Sequence, residues 1–152
     1  MARVAIVMGS PSDQELMSAA EELLDYFGIE YQVHVLSAHR NPDATAEFAR
    51  QAEAKGVCVI IAGAGMAAHL PGVIASYTSL PVIGVPLPGS SLNGVDALYA
   101  IVQMPKGVPV ATMAIGKAGA ANAAIFAAEV LALQSSGIKE KLTLFRQNGC
   151  KI

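Results

Sequence analysis

Tyr31-Gln32-Val33-His34-Val35-Leu36-Ser37-Ala38-His39-Arg40-Asn41-Pro42-Asp43 changes its period midway, and that change decides the fold. Tyr31 to Leu36 alternates and ends apolar, the pattern of a strand. Asn41-Pro42-Asp43 reads as a helix start, with Asn at the N-cap, Pro at the first helical position and an acid in the first turn. The four residues between therefore sit at the carboxyl end of a strand, where open α/β sheets place their ligands. They carry a hydroxyl, an imidazole and a guanidinium. Such groups hold an oxyanion and move a proton near neutral pH.

The same alternation of element types runs outward in both directions. Upstream, Arg3 to Met8 is a short apolar run ended by Gly9, read as a buried strand. Leu16, Ala20, Leu23 and Phe27 follow at helical spacing, with Gly28 as the stop. Downstream, a helix is expected from about Pro42 to Lys55. Val57 to Ala62 is a third strand, continuously apolar as strands covered on both faces are. A short helix is expected near Val73 to Thr78, strands over Pro81 to Val85 and Val108 to Met113, and helices over Ala118 to Leu133 and Ile138 to Arg146. Strands recurring about every 25 residues with helices between them form a βαβ series. The fold class is α/β: a single-domain, three-layer, doubly wound parallel sheet of flavodoxin-like or Rossmann-like type. The Ala-rich helix, small nearly all round, permits close approach of another helix and is assigned to a subunit interface.

Composition removes several function classes. Charged residues are 14% and apolar residues 53% of the 152 residues, against about a quarter charged in an average domain. A monomer of this size leaves roughly 30% of its unfolded-chain surface in water. The apolar excess therefore points to a homo-oligomer. A membrane protein is not expected, because no apolar run of the required length lacks Gly, Pro, His or a charge. The start runs directly into a strand and shows no signal peptide. A net charge of −2 without a basic block, no Trp and few aromatics make nucleic acid a poor partner. Cys58 and Cys150 suggest neither a disulfide framework nor a metal site, which fits a reduced, cytoplasmic setting.

Two further loops hold candidate residues. Gly9-Ser10-Pro11-Ser12-Asp13 reads equally well as a capping box and as a phosphate or sugar site at a helix N-terminus. Because a carboxylate repels phosphate, the serines and backbone suit the phosphate and Asp13 suits ribose hydroxyls. Gly63-Ala64-Gly65-Met66-Ala67-Ala68 matches a dinucleotide pattern, but it follows the third strand and lacks the acid about twenty residues on. Its glycines are read as letting the backbone approach a flat ligand. His69, next in the chain, has a structural reading (a backbone hydrogen bond) and a catalytic one, with the structural favoured. His34, mid-strand, is read as non-functional. For His39 the neighbours Ser37 and Arg40 tip the balance toward chemistry: Arg40 takes a phosphate, and His39 is left free to exchange a proton. Pro88 to Gly94 is a flexible loop suited to closing over a ligand. No P-loop, nucleophile elbow or metal-ligand spacing is present.

These motifs, with Val102-Gln103-Met104-Pro105, Gly107-Val108-Pro109-Val110 and Ala118-Gly119-Ala120-Ala121-Asn122-Ala123, resemble those of the N5-carboxyaminoimidazole ribonucleotide mutase family of purine biosynthesis, over essentially the whole chain. The resemblance implies an octamer that moves the substrate carboxylate from the exocyclic nitrogen to ring carbon C4 without a metal or organic cofactor. It implies that Ser10, Ser12, Ser37 and Arg40 contact phosphate and Asp13 the ribose. It also implies that His39 shuttles the proton, and that Ala64, Gly65, His69 and Leu70 line the base and carboxylate pocket. Arg40, where a carboxylase branch usually has Lys, favours the mutase branch. The alternatives are a lyase using carbon dioxide directly and a non-catalytic phosphosugar-binding module. Met66 stands where many relatives have Gly, so a positive φ there would be strained. The C-terminus stops soon after the last helix, where relatives often continue.

Overall fold

The computed structural model describes residues 3–152. Five strands form one parallel sheet: β1 (Val4–Met8), β2 (Tyr31–Val35), β3 (Val59–Gly65), β4 (Val82–Leu87) and β5 (Ala111–Thr112), in the order β2-β1-β3-β4-β5. The first half of that order runs one way from β1 and the second half the other. The reversal opens a crevice between the carboxyl ends of β1 and β3, the flavodoxin-like switch point. Register pairs Ile6 with Val33 on one side of β1 and with Ile61 on the other.

Alternation along the inner strands builds two cores, one on each face of the sheet. Val4, Ile6 and Met8 of β1 join Val59 and Ile61 of β3 against α1 (Gln14–Phe27), α5 (Lys117–Ala132) and α6 (Ser136–Gln147). Ala5, Val7, Ile60 and Ala62 point the other way, toward α2 (Pro42–Gln51), α3 (Leu70–Tyr77) and α4 (Val95–Val102). Every residue of β1 and β4 is buried, as the unbroken apolar runs require. Burying an Ile side chain contributes about 1.5–3 kcal/mol, so these strands hold the layers together. β2 is the edge and is partly exposed. There His34 stacks on Phe48 with ring centroids 4.8 Å apart. Burial, and then the charge of Lys55, lower its pKa. That leaves the ring neutral and in a packing role.

Several expectations change. The helix α4 was not expected, and β5 is reduced from six residues to two because Pro109 has no N–H to give to a ladder. The Ala-rich helix α5 places Ala120, Ala123, Ala124, Ala127 and Ala128 in its own chain's core, where it packs closely on α1. Close approach is used within the subunit, on the buried side of this helix. Gly28, at φ +67°, ends α1 as a left-handed cap: its N–H donates to Asp25 O and that of Ile29 to Leu24 O.

Candidate active site

The loops after β1, β2, β3 and β4 converge on one cleft of about 420 Å³ at the switch point. Ser10, Ser12, Asp13, Ser37, His39, Arg40, Ala64, Gly65, His69 and Leu70 all line it. These are the ten residues singled out from three separate stretches of sequence. Gly9, Ala38, Met66, Ala67, Pro88 and Gly89 complete the wall. The contribution of Pro88-Gly89 follows from the topology, since β4 lies beside β3 and its carboxyl end opens on the same side.

After β1, the capping box is fully formed. Ser10 Oγ accepts from the Ser12 N–H at 3.3 Å, and the Ser10 N–H donates to Asp13 Oδ2 at 3.1 Å. The two serine hydroxyls lie 2.8 Å apart. Of their two protons one serves that bond, and the other remains for an acceptor in the cleft. Burial raises the Asp13 pKa, only partly opposed by the Ser10 N–H. So the structural and ligand-binding readings of this motif are compatible: the box shapes the loop and turns the hydroxyls outward.

After β2, Asn41 is the N-cap of α2 and Pro42 its first residue, although the Asn41 side chain caps nothing. The turn is instead fixed from within. Ser37 Oγ accepts from the Arg40 N–H at 3.1 Å, and the Asn41 N–H donates to Ser37 O at 2.7 Å. The Ser37 hydroxyl proton is left to donate. Arg40 is exposed at the cleft and has no ion-pair partner among the described residues. Arg40 shares the cleft with the hydroxyls of Ser10, Ser12 and Ser37, the donor set by which proteins recognise doubly charged anions.

After β3, the glycines also serve the packing of the sheet. A Cβ on Gly63 would lie 2.5 Å from Met17 Sδ, and one on Gly65 would lie 3.2 Å from Leu87 O. Their smallness brings α1 and β4 close to β3, and Gly65 also lines the cleft. Met66 does adopt positive φ, +54°, with its side chain 60% exposed. A left-handed non-glycine residue costs about 1–2 kcal/mol, and glycine's extra unfolded-state entropy returns roughly half of that. Met66→Gly should therefore raise the thermal midpoint by about 2 °C, whereas Met66→Ala, which keeps the strain, should not. Thermal unfolding of the two variants side by side checks this.

The strained turn delivers His69. The Ala68 N–H donates to Met66 O and the His69 N–H to Ala67 O, both at 2.8 Å, which reverses the chain in two tight steps. His69 is the N-cap of α3, yet its side chain makes no cap hydrogen bond. It meets His39 instead: Nδ1 of His69 lies 2.9 Å from Nε2 of His39, with the rings at 76°. The backbone-bonded reading of His69 is thus replaced by a paired imidazole, a contact across thirty residues that no local pattern encodes.

The cleft thus joins Arg40 and three serine hydroxyls with a pair of hydrogen-bonded imidazoles. A model of the AIR carboxylase family matches residues 3–151. The chain belongs to the AIR carboxylase family. Within it, the chain is 55% identical over 144 residues to the N5-carboxyaminoimidazole ribonucleotide mutase of Vibrio vulnificus, covering 95% of this chain and 89% of that one. It is 53% identical to the protein of that name from Saccharolobus solfataricus, covering 97% and 92%. The crystal structure of Treponema denticola PurE superposes with a TM-score of 0.87 at 28% identity, covering 97% of this chain and 90% of that one. Family membership and fold therefore agree with what the motifs implied.

Proposed function

We propose that this chain is a mutase of purine biosynthesis that converts N5-carboxyaminoimidazole ribonucleotide to 4-carboxy-5-aminoimidazole ribonucleotide. The observation that carries this reading is the convergence of the loops after β1, β2 and β3 on one cleft, in a chain 55% identical to a named mutase. Arg40 and the hydroxyls of Ser10, Ser12 and Ser37 hold the phosphate, and Asp13 accepts from the ribose. The Ala64-Gly65 turn, His69 and Leu70 form the wall against which the heterocycle and its carboxylate lie.

His39 does the proton work. It protonates the exocyclic nitrogen as the bond to the carboxylate breaks, releasing carbon dioxide and leaving aminoimidazole ribonucleotide. Carbon dioxide retained beside the ring is attacked by C4 at high effective concentration. His39 then removes the C4 proton and the ring regains aromaticity. Each proton given is recovered, so one group suffices and no redox or metal chemistry is required by the balance. We also infer a cytoplasmic homo-octamer. It is supported by the apolar excess and by Leu92, Val95, Tyr99 and Val102, exposed on and before α4.

The family's name, AIR carboxylase, favours a second reading, direct carboxylation of aminoimidazole ribonucleotide. Assays with both substrates at low bicarbonate decide between them. The mutase reading expects turnover of the carboxyamino substrate without added carbon dioxide. Turnover only of aminoimidazole ribonucleotide with added carbon dioxide would reverse it.

Asp13 offers an independent check. Its folded-state pKa is raised, so its contribution to stability is present below pH 3.8 and is lost as pH rises through the folded value. Asn at this position keeps an acceptor for the Ser10 N–H and removes the half-buried charge. Asp13→Asn should leave the unliganded protein slightly more stable at pH 7. It should raise KM about tenfold by weakening a charge-assisted bond to the sugar. Thermal unfolding and steady-state kinetics on the same preparation measure both.

A further inference from the structure

His39 has two ring nitrogens, and one of them, Nε2, is already committed to Nδ1 of His69 at 2.9 Å. Only Nδ1 remains for a substrate. Two neutral arrangements of the pair exist. In one, Nε2–H of His39 donates to His69, and Nδ1 of His39 carries a lone pair. In the other, Nδ1–H of His69 donates to His39, whose own Nδ1 then carries a hydrogen and cannot act as a base. The first arrangement places both rings in the Nε2–H tautomer, which neutral histidine intrinsically favours; the second places both in the disfavoured one. A ring's tautomer is set by the hydrogen bond its other nitrogen makes.

We propose that His69 is a positioning residue that fixes neutral His39 as the Nε2–H tautomer, so that all proton exchange with the substrate passes through Nδ1 of His39. This deepens the reading of His39 as the proton-transfer group and rests on it. The same contact disperses charge. The protonated pair holds three protons on four nitrogens: one on His39 Nδ1, one shared between the rings, and one on His69 Nε2. As the C–N bond to the carboxylate breaks, its electron pair stays on the exocyclic nitrogen, which takes the proton from His39 Nδ1. The shared proton settles on His39 Nε2, and both rings are neutral. When C4 has bonded to carbon dioxide, the lone pair on His39 Nδ1 takes the C4 proton and the cation is restored. A neutral imidazole thus occupies the place that a carboxylate takes beside the histidine of a hydrolase triad.

The backbone favours this role for His69. Its position at the start of α3 would let a side chain cap the helix, and it does not. The turn that aims it at His39 is held by two consecutive short hydrogen bonds and contains the strained Met66. Strain of this kind persists where the surroundings impose it and is concentrated at functional sites.

Nitrogen-15 NMR of the histidine-labelled, unliganded protein tests the proposal, with His39→Asn used to assign the His39 signals. The expected result, in alkaline solution, is a protonated Nε2 and a bare Nδ1 on His39. In His69→Leu the His39 signals should move toward a mixture of tautomers, and kcat should fall about ten- to a hundredfold through misplacement of the ring. In His69→Gln the side-chain carbonyl can accept from Nε2–H, so tautomer and kcat should both recover to within about threefold. A protonated Nδ1 on neutral His39 in the unsubstituted protein would overturn the proposal even if neither variant folds. Equal kcat losses in the Leu and Gln variants, with unfolding midpoints alike, would also overturn it. Because the tautomer is read without substrate, a failure here is distinct from a failure of the mutase reading, which is judged by turnover.

Discussion

Replacing His39 with Asn should lower kcat about a thousandfold while leaving KM within about threefold of its original value. General acid–base transfer by a positioned side chain contributes 10²–10⁴-fold, and here the same ring is asked both to give and to recover a proton. Asn matches much of the imidazole's size and polarity but cannot exchange a proton. Arg40 and the serines after β1 and β2, to which the proposed function assigns the phosphate, are untouched by the change. Steady-state kinetics combined with equilibrium binding of the product nucleotide separate the two effects. Unchanged turnover would leave only a binding module; loss of binding in proportion to loss of turnover would mean that His39 grips the substrate without doing chemistry on it.

The second large effect is on stability, at Gly119. A Cβ there would sit 1.6 Å from Ala114 O and 2.7 Å from Ala114 C. No real contact is that short, so the backbone of one partner must move. The loop cannot withdraw cheaply: the Met113 N–H donates to Gly84 O at 2.9 Å and the Gly116 N–H to Pro86 O at 2.8 Å, pinning it to β4. The helix cannot withdraw either, because α5 buries Ala120, Ala123 and Ala124 in the core beside α1. Gly119→Ala should therefore cost about 4 kcal/mol or more, the range reached only by specific mechanisms such as overpacking against fixed atoms. The thermal midpoint should fall by at least about 8 °C, or the protein should fail to fold. Gly137→Ala is the control. A Cβ there meets nothing within 4 Å, and in helix α6 the exchange should stabilise by about 0.5–1 kcal/mol.

The contrast between these two glycines shows what the sequence could and could not convey. Both are single glycines near a helix start, and only coordinates reveal which one touches a carbonyl. The parallel sheet, its flavodoxin-like character and the polar cleft residues were legible because their causes are local: unbroken apolar runs make buried strands, and polar residues at strand ends face the crevice; Ala64 and Leu70 were placed in the cleft only by the family resemblance. Pro42 after Asn41 announced α2 for the same reason. The helix α4 was missed although Ala97 and Ile101, its buried residues, have helical spacing. The turn residues from Pro88 to Gly94 mask the start of the helix that follows them. For Gly63 and Gly65, the sequence suggests close approach to a ligand but not the close packing of Met17 and of β4 that their smallness also allows. The pairing of His39 with His69 depends on two crossovers and a left-handed Met66. No spacing along one chain encodes it.

The structure of the assembled protein with its product nucleotide bound gives the sharpest test. The expected result is phosphate within hydrogen-bond distance of Arg40 and the Ser10, Ser12 and Ser37 hydroxyls, ribose against Asp13, and C4 with its carboxylate beside His39. Phosphate bound away from these groups, or a heterocycle out of reach of the His39 ring in every subunit, would contradict the assignment of this cleft as the catalytic site.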